Sequence, residues 1–329
     1  MRVIHINEPT HVAEARREAS LRAAALGFDD AGAGRVALVA SELASNVLKH
    51  ATRGEVLIGE YDDVSGSGIE LIALDKGAGI ADVLASSKDG VSTAGTAGNG
   101  LGAIGRQSQF MEVASWSRVG TAVLARISRQ PHSLPVATPP WSCLCVPMPG
   151  EAVCGDACFA VASPAGTTFI VADGLGHGSE AAIAALEAIR LFRQHQSKSV
   201  PEILEYIHAG LRSTRGAAVA VARVVQDGSR VTFGGIGNIS GAIVSSSGTR
   251  RMVSMSGTAG HVARRIQTFD YPCGDGIVVM NSDGLSSGWS LDRYPGLLVQ
   301  HPILIAAILY RDFQRGRDDT SVMVARGAT

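Results

Sequence analysis

The sequence is poor in aromatic residues and carries almost no net charge. Phe, Trp and Tyr together make up 5% of its 329 residues, and the formal net charge is −1. So few rings argue against stacking platforms for single-stranded nucleic acid. The balanced charge gives no electrostatic reason to expect nucleic acid or an anionic membrane as a partner. We therefore expect neither nucleic acid nor membrane as a ligand.

Long apolar runs and a secretion signal are also missing. No apolar run reaches the roughly 18 residues of a membrane span, and the opening stretch MRVIHINEPTHVAEARREA lacks a signal-peptide core. We expect a soluble, cytoplasmic protein. Its five cysteines are an odd number without a secretion signal, which favours reduced thiols over a disulfide framework. The pairs Cys143/Cys145 and Cys154/Cys158 lack the two-residue gap of a zinc knuckle, so we expect ordinary thiols.

A proline-rich stretch divides the chain. Residues 128–142 hold four of the 12 prolines, and such a segment cannot carry a regular helix or ladder. We therefore predict domains at 1–128 and 143–329, joined by a linker at 129–142. The first domain has the pattern of an α+β sandwich, with helices on one side of a mixed sheet. The second is richer in strands and predicts two sheets flanked by helices.

The helix predicted near residues 34–51 carries polar side chains in a single line. Its sequence, VALVASELASNVLKHA, is apolar almost all round, which predicts burial on more than one side. Glu42, Asn46 and His50 nevertheless recur at intervals of four residues and share one face. Taken alone, this line is explained equally well as a solvent-facing stripe, so its meaning depends on the motifs that follow.

Two glycine motifs favour a nucleotide site. In LDKGAGI a strand ends at Asp75, and Gly77 and Gly79 let the backbone approach a planar ligand. In GTAGNGLGAIGR, Gly98, Gly100 and Gly102 are expected to precede a helix whose free N–H groups suit a polyphosphate. No Gly-Lys-Ser/Thr follows, so this is not a Walker loop, and no βαβ unit surrounds it as in a Rossmann fold.

Taken in order, these motifs resemble the ATP-binding domain of the GHKL superfamily, and within it the RsbT-like anti-sigma-factor serine kinases. SELASNVLKHA, DKGAG and GNGLG match its successive boxes, and VGTAV matches its closing strand. The resemblance covers nearly all of residues 1–128 and implies a Bergerat-type α/β sandwich that binds ATP with Mg²⁺. It implies that Asn46 coordinates Mg²⁺, that Glu42 is the general base and that Asp75 takes the adenine amino group. Further implied ATP contacts are Gly77, Gly79, Gly98, Gly100, Leu101, Gly102 and Thr121.

The residue types suit that chemistry. Mg²⁺ prefers oxygen ligands, and a carboxylate one helical turn away can take the proton of a serine or threonine acceptor. We recognise no helix with a phosphoacceptor histidine, which disfavours a two-component histidine kinase. His50 is expected to be a packing residue or to support a metal ligand without binding the metal itself.

Strand-end acids recur after the linker. Asp156 follows AVCG, Asp173 ends an apolar run before Gly174, and Asp283 ends another in IVVMNSDGL. RDDTSVMVA places Asp318 and Asp319 before the last strand. A turn or capping role would explain each acid alone. If they converge, however, they repel one another without a counter-ion, so the repeated pattern favours divalent cations.

The pattern GDACFAV…VADGLGHGSEAA…MNSDGL…GRDDTSVMV resembles the PPM-type metal-dependent serine/threonine phosphatases of the SpoIIE/RsbX branch, over residues 143–329. It implies an α-β-β-α sandwich with two Mn²⁺ or Mg²⁺ ions at one edge, which generate hydroxide for attack on phosphoserine or phosphothreonine. Asp173 would bridge both ions and is the implied catalytic residue. The remaining implied ligands are the Gly174 carbonyl, Asp156, Asp283 and Asp318, with Asp319 as the alternative one residue later. We recognise no phosphate-binding arginine, and we expect His177 to be structural rather than a general acid.

The two resemblances together imply a bacterial partner-switching regulator that combines an ATP-dependent serine/threonine kinase with a protein phosphatase. The implied partners are STAS-domain antagonist or stressosome proteins, with a sigma factor or its regulator as a further candidate. Two alternatives stay open. The first domain could bind ATP and sequester its partner without phosphorylating it, or it could sense ATP and gate the phosphatase.

Overall fold

The computed structural model describes residues 1–51, 53–83, 100–130, 138–263 and 265–327. It divides into two compact units, Met1–Pro139 with Val299–Arg311, and Pro140–Leu298 with Asp312–Thr329. These bounds differ from the sequence-based ones because residues 299–311 cluster with the first unit. Among the described residues, no helix combines the length and apolar composition needed to cross a lipid bilayer.

The first unit contains a five-stranded sheet in the order β1-β2-β3-β5-β4. Its strands and first helices are β1 (Arg2–Ile6), α1 (Pro9–Ala25), α2 (Asp30–His50), β2 (Gly54–Asp63), β3 (Gly66–Asp75), α3 (Gly100–Gln107), β4 (Phe110–Trp116) and β5 (Gly120–Ser128). All four strand pairs are antiparallel, so the predicted mixed sheet is wrong. The reason is that tight turns join β2 to β3 and β4 to β5, and such turns permit only antiparallel pairing.

Helices α1 and α2 pack on one face of this sheet. The apolar positions of α2 recur at helical spacing and enter a core that also holds residues from α1, β2, β3 and β5. The side chain of Asp29 accepts a hydrogen bond from Gly32 N at 2.7 Å and so caps the start of α2. Glu42 and Asn46 are only half-buried, which leaves their polar groups at the margin of this core.

The second unit is built from two stacked antiparallel sheets, in the orders β15-β10-β9-β8-β7 and β12-β11-β16-β17-β6, plus a small β13-β14 pair. Its elements, apart from one helix shared with the first unit, are β6 (Trp141–Val146), β7 (Asp156–Ser163), β8 (Gly166–Gly174), α4 (Gly178–His195), α5 (Val200–Gly210), β9 (Ala217–Val224), β10 (Arg230–Ile236), β11 (Ser240–Ser245), β12 (Gly248–Met252), β13 (Gly257–Thr258), β14 (Val262–Ala263), β15 (Thr268–Pro272), β16 (Ile277–Asn281) and β17 (Thr320–Arg326). β6 starts inside the predicted linker.

Strand β8 shows how the layers are made. Phe169 and Val171 lie in the core that also holds residues of the facing sheet, whereas Ile170 and Ala172 join the core formed with α4 and α5. This alternation is the period-two pattern of a strand buried on both faces.

The remaining helix, α6 (Pro302–Phe313), clusters with the first unit up to Arg311. Residues 302–311 are all buried. Just before the helix, His301 N donates to Glu112 Oε2 at 2.7 Å, and the ring of His301 lies 5.4 Å from that of Phe110. Met111, between these two β4 residues, packs on the α1/α2 core, so residues 299–311 lie on the opposite face of the sheet.

One prediction about the cysteines is wrong, since Cys143 and Cys158 form a disulfide in this structure. The two residues lie on β6 and β7, which are edge strands of the two stacked sheets. Their proximity depends on long-range stacking, which the spacing of cysteines in the sequence does not show.

Candidate functional sites

The end of strand β8 places Asp173 beside Asp156. The antiparallel register pairs these two residues across β7 and β8, and Gly174 N donates to Gly155 O at 3.1 Å. A Cβ atom on Gly174 would lie 1.9 Å from the main-chain oxygen of Ala181 in α4. Glycine is therefore required at position 174, because α4 packs against the backbone directly after Asp173.

Three of the predicted ligands line one cavity of about 590 Å³. They are Asp173, Asp283 and Asp318. The Asp283 carboxylate accepts a hydrogen bond from Asn238 Nδ2 at 2.7 Å, and Asp318 Oδ1 accepts one from Asp319 N at 2.9 Å. The fold thus gathers acids from the ends of β8 and β16 and from the approach to β17.

Two further acids are more deeply buried. Asp156 is 6% exposed and Asp319 is 2% exposed. Asp319 Oδ1 accepts a hydrogen bond from Met148 N at 2.8 Å, but its Oδ2 and both carboxylate oxygens of Asp156 have no hydrogen-bond partner among the described residues. Buried carboxylate oxygens without donors are costly, and a bound cation would satisfy them. The donor set fits hard divalent cations, which take oxygen ligands.

The electrostatics of the acids agree with this fit. Burial raises the pKa of Asp173, and the neighbouring carboxylates raise it further, Asp156 most strongly. Burial also raises the pKa of Asp156. The hydroxyls of Ser282 and Ser321 lie near enough to oppose the shift, although neither makes a hydrogen bond of normal geometry to the carboxylate. The pKa of Asp318 is raised by burial and then by Asp283. Asp156, Asp173 and Asp318 therefore resist ionisation until positive charge enters the cluster.

The acids are spread along the cavity. Within the part of the chain that the structure describes, no three of these carboxylates place oxygen atoms within 4.8 Å of one another. In this structure the carboxylates therefore do not form a closed cage around a single ion position.

The cavity also contains residues that the sequence did not single out. Arg317 and Asn238 line it, and Arg317 immediately precedes the two aspartates. His177 lines it as well, and its Nδ1 lies 2.7 Å from Glu151 Oε1. The structural role expected for His177 stays a prediction. The position of Arg317 directly before Asp318, a predicted metal ligand, is the sequence signal that could have identified it.

In the first unit, the start of α3 lies against α2. A Cβ atom on Gly100 would be 2.8 Å from Asn46 Oδ1 and 3.2 Å from its Nδ2. Glu42 lies one turn before Asn46, and Leu101 and Gly102 follow in the first turn of α3. The structure thus places Asn46, on the polar face of α2, next to Gly100 of the second glycine motif. Gly98 lies outside the described residues.

The first glycine motif surrounds Asp75. Its Oδ1 accepts hydrogen bonds from Gly77 N at 2.7 Å and from Thr121 N at 3.3 Å. Burial raises the pKa of Asp75, and these two N–H groups oppose the shift. A Cβ atom on Gly77 would lie 2.8 Å from the main-chain oxygen of His50, and one on Gly79 would lie 2.3 Å from a main-chain oxygen of β4. The glycines therefore let this loop pack against α2 and β4.

Asp75 also makes a contact that the sequence did not predict. Arg311, at the end of the buried part of α6, donates from Nη1 to the main-chain oxygen of Asp75 at 2.9 Å. Its positive charge also opposes the rise in the pKa of Asp75. The two residues are far apart in sequence, and no local motif indicates the pairing.

Comparison with known families defines the class of both parts. The model of the histidine kinase-like ATPase domain (HATPase_c_2) matches residues 6–127. The model of stage II sporulation protein E (SpoIIE) matches residues 163–327, half of the chain. The chain belongs to the SpoIIE family and carries an RsbT-like GHKL ATPase domain before its PPM-type domain.

Two characterised relatives come from Bacillus subtilis (strain 168). The serine/threonine-protein kinase RsbT is 34% identical over 100 residues, which cover 30% of this chain and 75% of RsbT. The phosphoserine phosphatase RsbX is 29% identical over 99 residues, which cover 30% of this chain and half of RsbX. The chain is therefore a fusion of an RsbT-like domain with an RsbX/SpoIIE-like domain.

Solved structures agree on the fold. A structure from a study of the bacterial stressosome as a modular system controlling secondary messenger signalling has a TM-score of 0.53 and 28% identity, over 56% of this chain and 98% of that one. RsbX in complex with magnesium has a TM-score of 0.50 and 21% identity, over 57% of this chain and 94% of that one. The predicted fold class, a GHKL-type domain followed by a PPM-type sandwich, is confirmed.

Proposed function

We propose that the second unit is a metal-dependent protein phosphatase that hydrolyses phosphoserine or phosphothreonine. The observation that carries this proposal is the acid cluster, in which three aspartates share one cavity while buried oxygens of Asp156 and Asp319 lack donors. The similarity to RsbX, a phosphoserine phosphatase, supports the substrate class.

The chain's own groups have separable roles in this proposal. Asp173, the Gly174 carbonyl, Asp156, Asp283 and Asp318 would hold Mn²⁺ or Mg²⁺ ions, with Asp319 as the alternative to Asp318. When bound, such ions supply a hydroxide nucleophile near neutral pH and polarise phosphoryl oxygens. Asn238 orients the Asp283 carboxylate by donating a hydrogen bond to it.

Arg317 is proposed to orient the substrate. It is the arginine on the cavity wall next to Asp318. A guanidinium can donate two parallel hydrogen bonds to phosphate oxygens, which a lysine cannot do in the same geometry. This residue would supply the phosphate contact that no sequence motif indicated.

Hydrolysis of a phosphoserine peptide tests the proposal. We expect activity with Mn²⁺ or Mg²⁺, loss of activity with chelator, and a fall of at least about 100-fold in Asp173→Asn. The matched control Asp292→Asn changes an exposed turn and should retain full activity. Arg317→Ala should raise KM more than it lowers kcat. Full activity in chelator would overturn the metal assignment.

We propose further that the first unit binds ATP with Mg²⁺ and phosphorylates a serine or threonine of a STAS-domain or stressosome-type partner. In this proposal Asn46 holds Mg²⁺, Glu42 takes the hydroxyl proton, and Asp75 accepts from the adenine amino group. The contact between Gly100 and Asn46 supports a shared phosphate and metal site. The similarity to RsbT, a serine/threonine-protein kinase, supports the reaction type. A sigma factor or its regulator is a further candidate partner.

Phosphate transfer is tested in a chain whose phosphatase is silenced by Asp283→Asn. Labelled ATP and a purified STAS-domain protein should give a phosphorylated partner, and Glu42→Gln should abolish transfer while ATP binding persists. The control Glu60→Gln changes an exposed residue of β2. ATP binding without transfer would instead support a module that sequesters its partner.

One observation favours ATP gating as a second function. Arg311 belongs to the segment matched by the SpoIIE model, yet it donates to the main-chain oxygen of Asp75. A nucleotide that moves the Asp75 loop would act directly on this segment. We expect a non-hydrolysable ATP analogue to change the phosphatase rate of the wild type but not of Arg311→Ala. Equal responses of the two proteins would contradict gating through this contact.

A further inference from the structure

Three cysteines meet at the edge of the second unit. Cys143 and Cys145 are two residues apart on β6, so they face the same side of the strand. Cys158 lies on β7, the edge strand of the facing sheet. We call these residues the cysteine trio. Their sulfur atoms all lie within 4.8 Å of one another, and each side chain is only half-buried.

The arrangement contains more than a disulfide needs. In this structure Cys143 and Cys158 are bonded, and Cys145 Sγ lies 3.6 Å from Cys143 Sγ and 3.7 Å from Cys158 Sγ. A disulfide between the two edge strands uses two sulfur atoms, and the third sulfur beside both takes no part in that bond.

The distances from Cys145 Sγ to the other two sulfur atoms match those of a zinc site. A tetrahedral zinc site with Zn–S bonds of about 2.3 Å separates its sulfur atoms by about 3.8 Å. Cys145 therefore already lies at the edge length of such a site from both partners. Only the contact between Cys143 and Cys158 must lengthen, and reduction of their bond permits that.

We propose that the cysteine trio, once its disulfide is reduced, binds one thiophilic divalent cation of the zinc class. A dithiol reductant gives two electrons and two protons to the disulfide, which yields two thiols and the disulfide of the reductant. Three thiols then release three protons and form three metal–sulfur bonds, leaving the fourth position to a small ligand such as water.

This site is chemically distinct from the acid cluster. Thiolates select soft cations such as Zn²⁺, whereas carboxylates suit Mg²⁺ and Mn²⁺. The bound cation would clasp β6 to β7, and β7 also begins with Asp156. The proposal concerns metal binding and does not depend on phosphatase or kinase activity.

The test uses the full chain, reduced with a dithiol and then freed of it without oxygen. After Zn²⁺ loading and washing with a weak chelator, we expect one tightly held zinc per chain by elemental analysis. Co²⁺ loading should give the intense sulfur-to-cobalt charge-transfer band, which carboxylate ligands do not produce. Both signals should disappear in Cys145→Ser and Cys158→Ser.

Two control variants locate the site. Cys273→Ser removes a buried cysteine that lies outside the trio, and Asp173→Asn disables the acid cluster. Both should retain the zinc and the cobalt band. Retention of both signals in Cys145→Ser, or their loss in Asp173→Asn, would overturn the assignment.

A thiol count keeps the proposal testable if a variant fails to fold. In the reduced wild type, Zn²⁺ should protect three cysteines from an alkylating reagent, and peptide mapping should identify them as the trio. A reduced wild type that binds no zinc, and whose trio is alkylated equally with and without Zn²⁺, would overturn the proposal.

Discussion

Replacing Asp156 with asparagine should stabilise the protein without metal and destabilise it with metal. Asp156 and Asp173 are cross-strand partners, so their Cβ atoms lie about 5 Å apart. At an effective dielectric constant of about 20, two ionised groups at that distance repel by roughly 3 kcal/mol. The pKa of each residue is raised in the fold, so the folded chain binds more protons than the unfolded chain. Without metal, the free energy of unfolding therefore falls as pH rises.

The expected numbers follow from that repulsion together with burial, because at pH 8 Asp156, with a pKa of about 7, is ionised, whereas Asp173, with a pKa of about 9, is only partly ionised. In EDTA at pH 8, Asp156→Asn should raise the free energy of unfolding by about 1–3 kcal/mol, or Tm by roughly 2–10 °C for a unit of this size. At pH 5 the gain should shrink, because the wild-type acids are then largely protonated. With Mn²⁺ at about 1,000 times Kd, the wild type should gain about 4 kcal/mol and the variant far less.

Thermal unfolding followed by circular dichroism, with and without Mn²⁺, measures both effects. The Tm of Asp156→Asn should be higher than that of the wild type in EDTA and lower in Mn²⁺. The Tm of the control Asp292→Asn should equal that of the wild type under both conditions. If the variant melts below the wild type in EDTA at pH 8, the acids do not repel one another as argued. If it keeps the full Mn²⁺ shift, Asp156 is not a ligand.

Three further substitutions have sharp expectations. Gly100→Ala places a Cβ 2.8 Å from an amide oxygen on α2 and should weaken ATP binding at least about 10-fold by calorimetry, whereas Gly105→Ala, with no contact closer than 3.5 Å, should not. Arg126, on β5, is buried and pairs with the carboxylates of Asp63 and Glu70. Arg126→Met leaves those two carboxylates unpaired and should cost about 3–5 kcal/mol in urea unfolding. A change below about 1 kcal/mol would contradict that cost. Gly174→Ala should prevent α4 from packing and give little soluble protein, whereas Gly288→Ala, with open space around its Cβ, should behave as wild type.

Local pattern was sufficient for the elements with strong apolar periodicity. The apolar run that ends at Asp173 is strand β8, the run before Asp283 is strand β16, and the helix predicted near residues 34–51 is α2. Strand β12 was missed because its sequence, GTRRM, is mostly exposed and charged and has no apolar alternation. Strand β6 was missed because it directly follows prolines that indicate a linker. Both segments form strands because they pair with a neighbouring strand, and their local sequence does not indicate that pairing.

The acid cluster was predictable for a geometric reason that the other contacts lack. Asp173 and Asp283 each follow an apolar strand, and strand ends that lie at one edge bring their side chains together. The pairing of Arg311 with Asp75 and the meeting of Cys145 with Cys158 depend instead on how distant elements stack. Sequence spacing carries no information about stacking, so these contacts required the structure.

Helix α6 shows that the family boundary and the packing boundary are different. The SpoIIE match continues to residue 327, yet the structure assigns Val299–Arg311 to the first unit and resumes the second at Asp312. The helix is apolar and buried through ten successive residues, so a fragment that ends at the proline-rich stretch would leave the first unit without it. From Arg311, at the backbone of Asp75, the chain needs only seven residues to reach Asp318 in the acid cavity. The covalent path between the two sites is therefore short and begins in a buried helix. If a nucleotide at Asp75 acts on the phosphatase through Arg311, as proposed, Arg311→Ala should remove that response. The variant therefore separates an ATP-gated phosphatase from two modules that only share a chain.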